Sequence, residues 1–325
     1  EFPGTVHAGE ALQCLAALAA DRGDFASAVE LYGDFIRLGP DPGRTAQARF
    51  LMGGCYFRMG DFDRAVDSYV RVLHETPGTP GLRDLARTWI GWSYVRLRSH
   101  RLARKVFEEL GATAEGAGLR AWSLARAGDA ALEIRDFEGA RTLYAGARTM
   151  AESSGVRGAV EAASLAGEGW TRYLEGEYGT AADLFSQAKP GLDVQAQAEM
   201  DLRIGDCRYN LKDFAAAEAF FRLADAPGAA PAIRDEAAYR RGWCAYRQGH
   251  AAQARDVWAA LARSEGPLAS EARYWTAWAF FREGRFAEAS AAFSAVAREA
   301  PGTELAEEAS LRAADALFNG GRSGE

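Results

Sequence analysis

The sequence lacks the motifs that build most catalytic and metal sites. It has four cysteines and four histidines in 325 residues, with no C-x-x-C pair and no histidine at zinc-ligand spacing from a cysteine. A P-loop, a dinucleotide fingerprint and a G-x-S-x-G elbow are also missing. We therefore expect no metal site, no cofactor and no enzymatic activity.

Long apolar runs and a basic stripe are missing as well. No stretch of about eighteen apolar residues could span a bilayer, so we expect no membrane insertion by this segment. The net charge is −7 and arginines are mixed with acidic residues, which argues against a nucleic-acid partner. The chain starts at Glu1 without Met or a signal sequence, so residues 1–8 are interpreted as an N-terminal tail or a cloning remnant.

What the sequence does contain is a repeat. Gly60-Asp61-Phe62 is one copy of a turn whose aromatic residue serves as the anchor, and successive anchors lie 35 to 41 residues apart. Such a period is typical of stacked helix pairs. The eight anchor positions are Phe25, Phe62, His100, Phe137, Tyr178, Phe214, Ala251 and Phe286.

Three positions counted from the anchor are stricter than the anchor itself. Position +3 is Ala in every repeat, position +7 is always aromatic, and position −9 is always Gly or Ala. A small residue lets two helices approach closely, and an aromatic ring fills the space opposite. In the second repeat these residues are Gly53, Ala65 and Tyr69. The pattern predicts two tightly packed helices in each repeat.

This register resembles the tetratricopeptide repeat, most clearly in residues 51–69. The resemblance implies an all-α fold, a right-handed α-α superhelix (solenoid) of eight helix pairs plus a terminal helix. The repeats are predicted to cover residues 9–305, with starts near 9, 46, 84, 121, 162, 198, 235 and 270. Residues 306–325 are predicted to be a partial ninth repeat or capping helix, with helix as far as Phe318 and a turn beginning at Gly320.

The resemblance also implies that the first helix of each pair lines a concave groove, the default binding surface of such arrays. Four of the eight tryptophans fall at position −8 on that side, and large aromatics beside arginine are the residue types that supply binding hot spots. We therefore predict a partner-binding groove. Its candidate residues are Trp92, Asp129, Trp170, Asp206, Trp243, Trp278, Tyr239, Tyr274, Arg247 and Arg282.

The tryptophans and their neighbouring positions in the repeat also allow interpretations other than partner binding. The tryptophans could pack between repeats instead, and for the aromatic residues at −5 a core position is favoured. The two-carboxylate clamp of some tetratricopeptide domains is disfavoured, because it needs Lys at −12 and Asn at −8, and no repeat has either. Cys55, Cys207 and Cys244 share position −7 and are predicted to be free buried thiols. Packed helices lie about 8–10 Å apart, whereas a disulfide needs Cα atoms within about 7 Å.

Two functions fit the sequence. The first is a non-catalytic protein-protein interaction scaffold, which binds a peptide or helix of a partner in its groove within a multiprotein assembly. The alternative is a glycan- or peptidoglycan-binding envelope protein, because Trp faces also stack on sugar rings. The Pro-Gly-Thr loops resemble repeats of Gram-negative envelope proteins, which implies a periplasmic or outer-membrane-associated location. Four reduced cysteines favour the cytoplasmic alternative.

Overall fold

The protein is all-α in the part of the chain that the computed structural model describes, which is residues 6–75, 80–155, 158–299 and 301–322. Seventeen helices alternate between first and second members of a pair. The first helices are α1 (Val6–Asp21), α3 (Pro42–Met59), α5 (Pro80–Arg96), α7 (Ala117–Glu133), α9 (Ala159–Leu174), α11 (Val194–Asn210), α13 (Pro231–Arg247), α15 (Ala269–Arg282) and α17 (Glu304–Arg322). The second helices are α2 (Phe25–Arg37), α4 (Phe62–Glu75), α6 (His100–Thr113), α8 (Phe137–Ser153), α10 (Tyr178–Ala188), α12 (Phe214–Ala224), α14 (Ala251–Leu261) and α16 (Phe286–Glu299).

The predicted register agrees with these bounds. Every second helix begins at an anchor residue, and each first helix of the eight pairs begins one to four residues before its predicted repeat start. The chain divides into two compact units, unit 1 (Glu1–Thr171) and unit 2 (Arg172–Glu325). From α1 to α8, and again from α10 to α17, each helix packs on the next one along the chain. Each unit is therefore a solenoid of helix pairs, as predicted.

The small residue at −9 and the aromatic at +7 form the core of each pair. A Cβ atom added at Gly53 would lie 2.8 Å from the Tyr69 ring, and one at Gly242 would lie 2.1 Å from Nε1 of Trp258. Such contacts are too close for any side chain, so glycine is required for the observed helix approach. The +7 aromatics are at most 2% exposed and the +3 alanines are fully buried in all eight repeats. This confirms the packing predicted from the spacing.

A single kind of turn joins the two helices of each pair. The residue two before the anchor has a positive φ in all eight repeats, from 55° at Arg98 to 83° at Gly176. Glycine adopts this left-handed conformation without strain, but Arg98, Arg135 and Lys212 hold it in three repeats. The next residue caps the second helix where it is Asp, as in Asp213, whose carboxylate accepts a hydrogen bond from the Ala216 backbone N–H at 3.1 Å.

The terminal helix is longer than predicted. The sequence analysis placed a turn at Gly320, whereas α17 continues through Gly320 to Arg322. Glycine costs only about 1 kcal/mol relative to alanine inside a helix, so it does not have to end one. The backbone at Gly320 also packs on α16, since a Cβ added there would lie 3.2 Å from Cβ of Phe286.

Candidate partner-binding pockets

The four tryptophans at position −8 are all half-buried. The ring of Trp92 has its centroid 6.1 Å from that of Phe107, the +7 aromatic of its own repeat. The ring centroid of Trp243 lies 5.5 Å from that of Trp258, which is likewise the +7 aromatic of its own repeat. Trp278 likewise has its ring centroid 5.7 Å from that of Phe293. Trp92, Trp243 and Trp278 thus pack on their own second helices and are still only half-buried, so the packing and groove interpretations each describe part of these side chains.

Tryptophans from two successive first helices form an open pocket in unit 2. Trp243 of α13 and Trp275 of α15 have ring centroids 4.3 Å apart, and Trp278 is stacked 6.5 Å from Trp275. The pocket, called here the unit 2 pocket, has a volume of about 360 Å³. Its lining consists of Trp243, Tyr246, Arg247, Tyr274, Trp275, Trp278 and Glu308.

The two tyrosines of the predicted groove contribute differently to this pocket, because Tyr274 is part of its lining and Tyr239 packs against Trp243. Tyr274 is only 4% exposed, and burial raises the pKa of its phenol. Tyr239 is half-buried, with its ring 6.5 Å from Trp243, and its backbone carbonyl accepts a hydrogen bond from Trp258 Nε1 at 3.1 Å. Tyr274 therefore offers a ligand only a small part of its ring, and Tyr239 holds the wall in place.

The two predicted arginines stand at the rim. Arg247 lines the unit 2 pocket, and its Nε donates to the hydroxyl of Tyr209 at 3.1 Å. The guanidinium carbon of Arg282 lies 4.8 Å from the centroid of the Tyr246 ring, which is itself part of the pocket wall. Both arginines are exposed. The structure thus brings Trp243, Trp278, Arg247 and Arg282 together.

Asp206 is buried rather than open to a groove. Its side chain lies 3.5 Å from the guanidinium of Arg240 and 3.3 Å from that of Arg203, and the residue is 6% exposed. Burial raises the pKa of its carboxyl, and the two arginines oppose that shift. A partner that reaches this part of α11 would meet the arginines before the carboxylate. The physical reason is that α13 brings Arg240 over it.

A smaller pocket lies in unit 1. Called here the unit 1 pocket, it has a volume of about 180 Å³. Asp129 accepts a hydrogen bond from the Tyr144 hydroxyl at 2.8 Å and forms an ion pair with Arg126 at 2.8 Å. The exposed Glu133 adds a second carboxylate. The lining is Trp92, Val95, His100, Phe107, Arg126, Asp129, Ala130 and Glu133.

A third pocket, of about 290 Å³, lies near the start of unit 1 and is called here the N-terminal pocket. It is lined mainly by Phe25, Tyr32, Phe50, Leu51, Phe57, Arg58, Tyr69 and Trp89, with Ala20, Asp21, Gly54 and Cys55. The three pockets share a plan. Each takes position −5 from one first helix and positions −11 and −8 from the next first helix.

Position −11 is the wall residue that the sequence analysis missed. It carries Trp275 in the unit 2 pocket, in contact with Trp243, Trp258, Tyr274 and Trp278. The candidate residues predicted for the groove all lie at −12, −8 or −4 and so leave it out. The signal was available, because −11 lies three residues before −8 and therefore on nearly the same side of the helix. Trp170, also predicted, is half-buried in α9 and lines none of these three pockets.

The cysteines agree with the prediction of free thiols. All four are unpaired, with Cys55, Cys207 and Cys244 buried and Cys14 exposed. Burial raises the pKa of Cys207 and of Cys244 to about 12, and it raises that of Cys55 as well. Since the thiolate is the reactive form, these buried thiols are unreactive at neutral pH.

Two features are missing from the described ranges. No helix there combines the length and the apolar character that crossing a membrane requires. No group of three or more His, Cys, Asp or Glu side chains in those ranges is placed to hold a metal ion.

Comparison with known proteins agrees with the fold. The family model for the tetratricopeptide repeat matches residues 15–80 and 239–304, one stretch in each unit. A comparison with curated protein sequences gives no match. Each of the two matched stretches is similar to tetratricopeptide repeats. Repeats of this family generally mediate protein-protein interaction.

Solved structures with the same fold are distant in sequence. A tetratricopeptide repeat protein of Parabacteroides merdae is 15% identical, over 83% of this chain and 99% of its own, with a TM-score of 0.55. The C-terminal part of a repeat protein of Cytophaga hutchinsonii is 14% identical, over 80% and 98%, with a TM-score of 0.62. A signal transduction ATPase of Pyrococcus horikoshii with a tetratricopeptide repeat sensor is 13% identical, over 97% and 50%, with a TM-score of 0.63. At these identities the likeness shows the fold alone.

Proposed function

We propose that this protein is a non-catalytic scaffold whose unit 2 pocket binds a peptide or helix of a partner protein. The observation that carries the proposal is the open pocket between α13 and α15, where Trp243, Trp275 and Trp278 meet. Tryptophan and arginine are the side chains most enriched at binding hot spots, and a pocket of about 360 Å³ accepts one large apolar side chain.

The test begins with peptides selected for binding. Random twelve-residue peptides are displayed, selected on the immobilised protein, synthesised and measured by fluorescence anisotropy. Trp278→Ala is expected to weaken binding about 30-fold, because a hot-spot truncation costs about 2 kcal/mol. The matched control is Trp92→Ala, which removes a half-buried tryptophan at the same repeat position of unit 1 and should leave the affinity unchanged. Circular dichroism of both variants checks that they fold.

The outcomes separate the candidate functions. Equal affinity of the Trp278→Ala variant for the selected peptides would refute the pocket assignment. Titrating the intrinsic tryptophan fluorescence with oligosaccharides and cell-wall fragments tests the glycan alternative, and a saturable response that Trp278→Ala abolishes would favour it over peptide binding.

The location at the bacterial envelope remains a prediction. It rests on the likeness of the loops to envelope repeats and is independent of the pocket. Fractionation of cells that express the full gene tests it, with recovery in the periplasm or outer membrane expected and recovery in the cytosol contradicting it.

A further inference from the structure

Two arginines at the unit 2 pocket form no ion pair among the described residues. Arg247 and Arg282 occupy position −4 of their repeats, at the ends of α13 and α15, and both are exposed. Arg247 bonds the Tyr209 hydroxyl and Arg282 stacks on Tyr246. Neither forms an ion pair with any carboxylate in the ranges that the structure describes.

Two other arginines near the pocket do form ion pairs. Arg240 pairs with Asp206 at 3.5 Å, and Arg312 of α17 pairs with Glu308 at 3.6 Å. The second of these pairs matters for the pocket, since Glu308 is the carboxylate in its wall. Arg312 also pairs with Asp315 at 3.0 Å, so it offsets the Glu308 charge only in part. The rim nevertheless carries two exposed guanidinium groups that form no ion pair among the described residues, although the chain as a whole has a net charge of −7.

The contacts of both arginines leave hydrogen-bond donors available. A guanidinium has five N–H donors in a planar fork, and stacking on a ring uses its face rather than its edge. Arg282 is held by stacking, and Arg247 donates only its Nε. Their remaining N–H groups suit a carboxylate, and side chains already held by a ring or a hydroxyl lose less freedom when they bind one.

Building on the function proposed above, we propose that the partner segment is acidic. It places an aromatic or leucine side chain in the unit 2 pocket, and aspartate or glutamate residues beside that anchor bond Arg247 and Arg282. The pocket supplies affinity through apolar burial, and the rim selects for negative charge. The N-terminal pocket is not expected to show this preference, since Asp21 lies in its wall together with Arg58.

The test uses the same selected peptides with a double-mutant cycle. Peptides selected on the wild-type chain are expected to carry Asp or Glu within about four residues of the apolar anchor, a spacing that spans one helical turn. Arg247→Gln with Arg282→Gln should weaken them at least about ten-fold, since charge-assisted hydrogen bonds are the strong ones. Versions of the peptides with Asn and Gln in place of the acids should bind both proteins equally.

A matched control lies in unit 1. Arg58 and Arg96 occupy the same repeat position, are exposed, and likewise form no ion pair in the described ranges. The variant Arg58→Gln with Arg96→Gln should bind the acidic peptides as the wild type does. A loss of affinity in this control, equal to that of the unit 2 variant, would overturn the assignment to the unit 2 rim.

The remaining outcomes distinguish the two proposals. Selected peptides without acidic residues, or an affinity that the unit 2 arginine variant leaves unchanged, would overturn the acidic partner while leaving the pocket proposal intact. Peptides that bind the Trp278→Ala variant as tightly as the wild type would overturn the pocket itself, and with it this inference.

Discussion

The unit 1 pocket and the unit 2 pocket use the same repeat positions but have walls of opposite character. In the later first helix of the unit 1 pocket, positions −8 and −4 are the carboxylates Asp129 and Glu133. In the unit 2 pocket the corresponding helix carries Trp278 and Arg282. The volumes are about 180 and about 360 Å³. The comparison teaches that the repeat fixes where a pocket forms, and that a few side chains decide what each pocket accepts.

The helix pairs of the two units have the same kind of core. Gly91 faces Phe107 in unit 1 as Gly242 faces Trp258 in unit 2, and the same left-handed turn ends the first helices. The predictions below test the shared core and the features that differ, from the largest expected effect to the smallest.

The largest contrast is expected among the thiols. With a pKa of about 12, Cys207 and Cys244 have a thiolate fraction at pH 8 about a thousand-fold below that of an ordinary thiol. A maleimide or disulfide reagent should therefore modify one thiol per chain, the exposed Cys14, until the protein is denatured. The Cys14→Ser variant is the control and should show no rapid labelling. Rapid modification of two or more thiols in the folded wild type would contradict the burial described here.

The same thiols give a pH dependence of stability. Their folded-state pKa is raised above the ordinary value of 9.0. The folded protein thus favours the neutral thiols, and below pH 9 their contribution to the free energy of unfolding is complete. It is lost as the pH rises towards 12, because the unfolded chain then releases protons that the folded chain retains. Urea midpoints measured from pH 8 to pH 11 should fall more for the wild type than for the Cys207→Ala, Cys244→Ala variant.

Gly242→Ala tests the shared core. The new Cβ would stand 2.1 Å from Nε1 of Trp258, so the ring must move and its hydrogen bond to the Tyr239 carbonyl is lost. We expect a loss of about 3 kcal/mol in the free energy of unfolding, at the upper end for overpacking. Gly179→Ala in α10 is the control, because nothing lies within 4 Å of its added Cβ, and alanine there should be neutral or stabilising. A urea midpoint for Gly242→Ala equal to that of the wild type would refute the close helix approach.

Tyr144→Phe tests a feature of unit 1 alone. The Tyr144 hydroxyl donates to Asp129 at 2.8 Å, whereas the +7 residues of repeats six to eight have no hydroxyl. Loss of a hydrogen bond to a charged group should cost about 1.5–3 kcal/mol. Tyr69→Phe is the matched control, since that hydroxyl has no hydrogen-bond partner among the described residues. If both variants unfold at the same denaturant concentration, the Asp129 contact contributes nothing.

Lys212→Gly should give a gain, the smallest of these effects. Lys212 holds a φ of 63°, which strains a residue with a Cβ and not glycine. The variant should be stabilised by about 0.5–1 kcal/mol, and five other repeats already have glycine at this position. Lys212→Ala keeps the Cβ and should bring no gain. A thermal midpoint that rises equally in both variants would show that the lysine side chain, and not the turn, is the cause.

Much of the fold was predictable from the sequence because its determinants are local. The anchor, the +3 alanine and the −9 glycine fix which faces of two adjacent helices meet, and Asp213 shows how one side chain starts a helix. Four of the seven residues that line the unit 2 pocket were among the predicted groove residues for the same reason. Trp243 and Trp278 were found from their position, and the structure places both in the unit 2 pocket.

The rest depended on contacts between repeats. Asp206 looked like a groove residue on its own helix, but Arg240 comes over it from the next first helix. Trp275 was overlooked because its importance lies in touching Trp243, one repeat away. A pattern that repeats every 35 to 41 residues describes one helix pair at a time, so it does not specify which side chains of successive pairs meet.

The sequence by itself determined the helix pairs, their register and the small-aromatic packing inside each pair, since each depends on residues close together along the chain. Only the tertiary structure decided that three tryptophans share one wall, that Glu308 pairs with Arg312, and that Arg247 and Arg282 form no ion pair with any of the described residues. Those outcomes depend on how neighbouring pairs stack, because stacking sets which charges are paired and which ring edges stay exposed.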